Sequence, residues 1–255
     1  MLFVKFYSVV NVKNIRLLFG LFLFASVLLN SAYANTDYEE LDSFESFNRV
    51  IFKFNDRADQ YVVKPVAQAY KFITPSFVNK GVTNFFSNLG DVETFANSLF
   101  QGKFHNAMVS LNRVIYNTTF GLAGLFDVAT SFGLDNSKED FGQTLGVWGY
   151  ESSTYLMIPF IGPSTVRDLS GRIVDTAFQP LQYVDELHTD TVLMSTGLDL
   201  LDKRADLLGA ENLLFGTDRY DFIRSAYYQN REFLINDGEV DDPFADEEFE
   251  DYDDF

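Results

Sequence analysis

Residues 114–134, VIYNTTFGLAGLFDVATSFGL, form an apolar stretch with a single charged side chain, Asp127. A membrane-spanning helix needs about 20 consecutive apolar residues, but glycines and the polar run at 117–119 interrupt this stretch. The pattern predicts a helical hairpin broken at Gly121 and Gly124. This hairpin either enters one leaflet of a membrane and returns, or is buried in a protein core, and small residues suit close backbone contact in both cases.

The N-terminus has the features of a secretory signal. Lys5, Lys13 and Arg16 lie before or beside an apolar run of thirteen residues at 17–29, which the A-x-A sequence AYA follows at 32–34. Because the run is too short to span a bilayer, we expect residues 1–34 to be a signal peptide and 35–41 a short N-terminal segment of the exported protein. An uncleaved anchor is the alternative.

The chain contains no cysteine. This composition excludes disulfides, thiolate metal sites and cysteine nucleophiles. It also predicts that no lipid is attached through an N-terminal cysteine, so an exported chain of this kind must be held together by its own core.

The net charge is −18, and residues 237–255 contribute eleven of the 37 acidic side chains. We expect 239–255 to be a disordered acidic tail, which either solubilises the protein or docks a partner through its aromatic residues. An acidic protein is a poor candidate for binding nucleic acid. The same charge predicts that any membrane affinity is apolar rather than electrostatic.

Apolar residues recur at helical spacing and predict one all-α domain over 42–238. Asp42 and Glu45 indicate a capping box at the first helix, Pro65 a kink or restart, and Gly90 and Asp91 the end of one helix and the cap of the next. The expected helices cover 44–61, 75–90, 91–102, 104–117, 139–147, 164–178, 187–208 and 217–235, with an extended segment at 155–161.

Enzyme motifs are missing from the sequence. The histidines at 105 and 188 belong to no HExxH pattern, no GxSxG turn is present, and no GK[ST] follows the glycines at 121–125. We therefore expect no catalytic residues, no metal site and no cofactor.

Several motifs occur in an order that resembles the MlaA (VacJ) family. They are ESFNR (45–49), FKFND (52–56), KPVA (64–67), GVTNFFSNL (81–89), LFQG (99–102), NTTFGLAGLFDVA (117–129), EDFGQTLG (139–146), Pro159, GPS (162–164) and RD (167–168). The resemblance implies a ring-shaped helical domain with a membrane-embedded hairpin in the periplasmic leaflet of the outer membrane. It also implies removal of misplaced phospholipids from the outer leaflet, with an outer-membrane porin and a periplasmic carrier of the MlaC type as partners. Many members carry a lipobox cysteine, which this chain lacks.

The candidate site residues have roles that their chemistry and their neighbours in the sequence suggest. Asn48 either guides a phosphate group or makes a helix-packing hydrogen bond, and Arg167–Asp168 is expected to be a buried structural pair. The lipid path or membrane hairpin is expected to include Phe47, Asn48, Phe120, Gly121, Leu122, Gly124, Leu125 and Phe126. The alternatives are a soluble periplasmic lipid-binding protein, a porin-associated structural adaptor, and a phospholipase with an unrecognised site.

Overall fold

The computed structural model describes residues 41–150, 153–183, 189–209 and 218–239, all of which belong to the compact unit of residues 37–255. The predicted signal peptide, the 35–41 segment except its last residue, and the acidic tail except its first residue lie outside these ranges. The α-helices of the described ranges are α1 (Glu45–Ala58), α2 (Lys64–Ile73), α3 (Ser76–Phe100), α4 (Phe104–Thr119), α5 (Phe141–Val147), α6 (Val166–Asp175), α7 (Thr189–Asp206) and α8 (Arg219–Ile235).

The domain is mostly helical, as predicted. Helices α3 and α4 form an antiparallel pair, α5 packs on α6, and α7 lies against α2 and α3. Short 3₁₀ turns follow several helices, at Ala129–Phe132, Thr176–Phe178, Pro180–Tyr183 and Leu207–Gly209. None of the helices in the described part of the chain is long and apolar enough to cross a membrane.

The extended segment is one arm of a small β-hairpin that the sequence pattern did not reveal. Strand β1 (Tyr155–Ile158) pairs antiparallel with β2 (Gly162–Thr165), and Tyr155 lies opposite Thr165. Consequently the helix predicted at 164–178 begins only at Val166. Its first turn is capped by Thr165, whose hydroxyl accepts a hydrogen bond from the amide of Asp168.

Three local expectations were wrong. The side chain of Asp42 does not cap α1, which starts after Phe44 without a side-chain cap; Asp42 is instead buried. Helix α3 continues through Gly90, and Asp91 faces the interior rather than capping a new helix. A single glycine destabilises a helix by only about 1 kcal/mol. The buried contacts of the polar residues around Gly90 outweigh this cost, and the helix continues.

Three other boundaries follow the sequence closely. The helical path widens into a π-turn at Asp59–Val63 directly before Pro65, whose ring would otherwise clash with the preceding turn. Helix α3 ends at Phe100, and Gly102 follows two residues later with a φ of +75°, in the left-handed region that glycine favours. Helix α8 ends, as predicted, before Asp237 and Gly238, both at positive φ.

Candidate functional site

The apolar stretch forms a compact loop rather than a second helix. After α4 ends at Thr119, residues 120–128 turn back on themselves, and only the short 3₁₀ turn Ala129–Phe132 follows. Three backbone hydrogen bonds close the turn, from the amides of Ala123, Gly124 and Phe126 to the carbonyls of Thr118, Asn117 and Gly121 (3.0, 2.8 and 2.9 Å). The predicted helical hairpin is therefore wrong in its second arm, because the chain must reverse within a few residues.

The outer side of this loop consists of exposed apolar side chains. Phe120 and Leu122 are 67% and 65% exposed, and Leu125 and Phe126 are also exposed. Leu122 and Ala123 adopt positive φ (52° and 57°), a strained conformation for residues with a side chain. We call residues 120–126 the apolar loop.

Gly121 and Gly124 are both required by the geometry of the apolar loop. A Cβ atom on Gly121 would lie 2.1 Å from the carbonyl oxygen of Phe126 and 2.5 Å from that of Asn117. Gly124 has a φ of +92°, and a Cβ there would meet the side chain of Asn88 at 2.8 Å. The structure thus assigns Gly121 to close backbone approach, and Gly124 to a left-handed turn packed against the side chain of Asn88.

Arg113 of α4 attaches the end of the loop to the helices. Only 1% of this residue is exposed. Its Nε donates to Asp91 of α3 (3.0 Å), its Nη1 to the carbonyl of Leu134 and the hydroxyl of Thr130 (2.6 and 3.0 Å), and its Nη2 to Asp127 (3.3 Å). The one charge in the apolar stretch is thus paired with a buried cation.

Asn117 completes this attachment through its side-chain amide. Its Oδ1 accepts from the amides of Val128 and Ala129 (2.8 and 2.9 Å), and its Nδ2 donates to Asp127 (3.2 Å). Burial alone would raise the pKa of Asp127, but hydrogen bonds from Thr130 and the charge of Arg113 outweigh it and lower this pKa. For Asp91 the balance is reversed, because burial raises its pKa to about 6 against the effect of Arg113.

Asn48 makes the helix-packing contact that was one of its two expected roles. It is fully buried in α1, donates to Asp42 (2.8 Å) and to the carbonyl of Tyr155 (3.0 Å), and accepts from the amide of Met157 (2.9 Å). Its amide therefore pairs with strand β1 as a neighbouring strand would. These bonds occupy both ends of its amide group, which argues against contact with a headgroup.

Asn55, seven residues later, repeats this arrangement, and sequence reasoning missed it. It donates to the carbonyl of Ile158 (2.9 Å) and accepts from the amide of Phe160 (2.8 Å). The signal was visible in the repeated Phe-Asn pairs at 47–48 and 54–55, since residues two helical turns apart share a face. Phe47, the partner of Asn48 in the first pair, is 58% exposed.

Arg167 and Asp168 form the buried pair that the sequence suggested, within a larger network. Arg167 Nε lies 3.0 Å from Asp168, which also accepts from Arg231 (2.9 Å) and Tyr227 (2.5 Å), both on α8. Burial would raise the pKa of Asp168, but the two arginines and the tyrosine lower it overall. This network fixes α6 against α8 and leaves its charges paired.

The described part of the domain buries polar side chains and exposes apolar ones, which is the reverse of a water-soluble domain. Among its fully buried side chains, polar and charged ones outnumber apolar ones, whereas many large apolar side chains are exposed. Soluble monomers rarely expose large contiguous apolar patches, and buried polar groups must be hydrogen-bonded. A helical domain with a hydrogen-bonded polar interior and an apolar outer surface is typical of proteins that work in contact with lipid.

The chain belongs to the MlaA lipoprotein family, whose profile matches residues 40–234. It is 34% identical over 227 residues to the intermembrane phospholipid transport system lipoprotein MlaA of Haemophilus influenzae, covering 86% of this chain and 90% of that protein. The protein of the same name from Escherichia coli K12 is 34% identical over 233 residues, covering 87% of this chain and 89% of its own length.

A solved structure supports the same assignment at the level of the fold. It comes from work on the structural basis for maintenance of bacterial outer membrane lipid asymmetry, and it matches with a TM-score of 0.70 and 33% identity. The match covers 76% of this chain and 99% of that one. An uncharacterised protein from Rickettsia prowazekii is also similar, with 34% identity over 200 residues and coverage of 77% and 79%.

Proposed function

We propose that this chain is an outer-membrane component of intermembrane phospholipid transport. It removes phospholipid misplaced in the outer leaflet and passes it toward a soluble periplasmic carrier. The observation that carries the proposal is the apolar loop. It is free of charged residues, exposes Phe120, Leu122, Leu125 and Phe126, and rests on a polar scaffold rather than on an apolar core. Relatives named for phospholipid transport support it.

The physical requirement for transfer is a polar route beside an apolar surface. An acyl chain stays in contact with apolar side chains, whereas a headgroup needs hydrogen-bonding partners along its way, because desolvating an unpaired charge is costly. In this proposal the domain forms a ring over 42–238, with the apolar loop in the periplasmic leaflet and Phe47 on the lipid-facing side. Its polar interior supplies partners for the headgroup.

No covalent chemistry is needed for this transfer. Within the described ranges no three histidine, cysteine, aspartate or glutamate side chains converge as a metal site would require. In this proposal the protein acts passively, and direction comes from its partners, an outer-membrane porin that holds it and a carrier of the MlaC type that accepts lipid.

Retention in the membrane is a separate part of the proposal. The curated relatives are named lipoproteins, which is at odds with the expectation that this protein has no N-terminal lipid. The sequence of 255 residues offers no cysteine to carry one. We infer that exposed apolar surfaces, together with a porin, hold the mature protein.

Two experiments test this function. Expression in a bacterium that lacks its own MlaA should restore removal of phospholipid from the outer leaflet, measured by labelling of surface-exposed lipid. Mass spectrometry of the detergent-purified protein should find phospholipid together with a porin. A porin without lipid would favour the adaptor alternative, and a protein that washes off membranes in low salt would favour a soluble carrier. Lysolipid release from labelled vesicles would favour a phospholipase.

A further inference from the structure

Acidic residues are missing from one long segment of this acidic protein. Between Asp59 and Asp91 there is no aspartate or glutamate, although the chain has 37 of them and a net charge of −18. The same segment carries three lysines, Lys64, Lys71 and Lys80. The net charge of the chain therefore conceals a segment whose own charge is positive.

This segment also exposes some of the largest apolar side chains of the domain. It forms the end of the π-turn, α2 and the first half of α3. Phe72, next to the short connection between the two helices, is 90% exposed, and Phe77, Tyr61 and Ile73 are 77%, 75% and 74% exposed. We call residues 60–80 the α2–α3 surface.

The α2–α3 surface is continuous with the apolar loop. Asn84 Nδ2 donates to the carbonyl of Leu125 (3.1 Å), and that oxygen lies 3.6 Å from the place where a Cβ on Gly81 would be. The loop thus packs on α3 one turn beyond Phe77 and next to Lys80. The two surfaces form one apolar face, and only the α2–α3 part of it carries basic side chains.

Helix α7 fixes the geometry of this surface from behind. Asp202, which is 2% exposed, accepts hydrogen bonds from Tyr70 of α2 and from Asn79 and Thr83 of α3 (2.9, 2.7 and 2.6 Å). Polar side chains therefore point to α7 and apolar ones point outward. An outward face of this kind needs an apolar partner.

We propose that the α2–α3 surface binds anionic phospholipid at the membrane surface. The exposed rings enter the boundary between headgroups and acyl chains. Lys80 contacts a lipid phosphate, whereas Lys71 donates to the carbonyl of Ala205 on α7 (3.2 Å). Long lysine side chains suit this arrangement, since their methylene groups lie along apolar surface while the ammonium stays at the headgroup level. Residues 60–90 themselves carry no carboxylate. The neighbouring Asp202 is buried and accepts hydrogen bonds from three donors behind the surface, so the segment has no exposed carboxylate of its own to repel a phosphate.

Vesicle flotation with matched variants tests this proposal. The purified full-length protein is mixed with vesicles of phosphatidylcholine with or without phosphatidylglycerol. Each lysine near an anionic surface contributes about 1 kcal/mol, so Lys80→Glu should weaken binding to the anionic vesicles roughly fivefold or more and leave binding to neutral vesicles unchanged. Lys138→Glu removes an exposed lysine outside this surface and should behave as wild type. The circular dichroism spectrum confirms folding of each variant.

The apolar part of the surface has its own matched pair. Phe72→Ser should weaken binding to both kinds of vesicle roughly thirtyfold, since a buried phenylalanine ring contributes on the order of 2 kcal/mol. Phe104→Ser, at the opposite end of the α3–α4 pair, should not. Equal effects of Lys80→Glu and Lys138→Glu, or equal wild-type binding to the two vesicles, would overturn the proposal. Loss of porin co-purification by Phe72→Ser with unchanged vesicle binding would assign the surface to a protein partner instead.

This inference rests on the proposed function only for its location in the outer membrane. Vesicle binding requires neither lipid transfer nor a carrier. A protein that binds anionic vesicles but does not clear outer-leaflet lipid would contradict the proposed function. The proposal that the α2–α3 surface binds anionic phospholipid would remain valid.

Discussion

Replacing Gly121 by alanine is expected to open the apolar loop while the helices remain folded. A Cβ at this position would lie 2.1 Å from the carbonyl oxygen of Phe126 and 2.5 Å from that of Asn117. Both neighbours are backbone atoms, so neither moves away without deforming the turn. Ordinary contact distances can be restored only if the backbone on the two sides of the turn moves apart.

The cost follows from the hydrogen bonds that would be lost. The amides of Ala123, Gly124 and Phe126 bond to carbonyls within the turn, and each such bond contributes about 1 kcal/mol, so the local cost is about 3 kcal/mol. Arg113 and Asn117 hold the chain on either side of the loop through separate bonds. The damage should therefore stay within residues 120–126.

The measurement is the hydrogen-exchange rate of these three amides in detergent. Exchange at Ala123, Gly124 and Phe126 should accelerate at least tenfold with Gly121→Ala, because a turn weakened by about 3 kcal/mol opens more often, whereas helical content stays unchanged. Gly90→Ala is the matched control, because a Cβ there meets nothing within 4 Å and alanine favours a helix over glycine by about 1 kcal/mol. In cells, Gly121→Ala should fail to clear outer-leaflet phospholipid and Gly90→Ala should succeed. Normal clearance and unchanged amide exchange with Gly121→Ala would refute this reasoning.

Three further outcomes are expected. Burial, with Asp175 and Asp140 nearby, raises the pKa of Glu93 to about 8 from its usual 4.5. The folded state therefore binds the Glu93 proton more tightly than the unfolded state does. The free energy of unfolding should fall by about 2 kcal/mol from pH 6 to pH 8, as this proton is lost. Denaturant titrations should show that fall, and Glu93→Gln should abolish it. Asp202→Leu should lower the unfolding free energy by about 3 kcal/mol, because it leaves three donors unpaired, whereas Asp202→Asn keeps an acceptor and should cost less. Truncation after Asp237 should leave vesicle flotation intact, since an acidic tail is repelled by anionic lipid; loss of flotation would make the tail a docking element.

The helices were predictable because their apolar and polar residues repeat with the helical period. Residues 104–119 and 219–235 differ from their predicted ranges by one or two residues. The interior was not predictable in the same way. A pattern of this kind assumes that apolar residues face inward, and here Arg113, Asn48 and Asp202 face inward while Phe72 faces outward.

The loop shows why local signals were not enough. Gly121 and Gly124 correctly marked an interruption of the helix, but the return path depends on bonds from Arg113 and Asn117 to residues that lie ten or more positions later. Likewise, Asn48 seemed a candidate for binding phosphate, because nothing in the sequence places β1 beside it. Long-range pairing decided both cases, and a single sequence does not record it.

The missing cysteine and the α2–α3 surface lead to one test of how this protein is held. If exposed rings and lysines take the place of a lipid anchor, then a lipid added to the mature N-terminus should make them dispensable. A signal sequence with a lipobox cysteine, fused before residue 35, should restore outer-leaflet clearance to Phe72→Ser and Lys80→Glu. It should not restore clearance to Gly121→Ala, because that variant has a damaged apolar loop rather than weakened attachment to the membrane. If the added lipid restored none of the three variants, the surface would have a role in transfer itself, and retention would have to come from elsewhere.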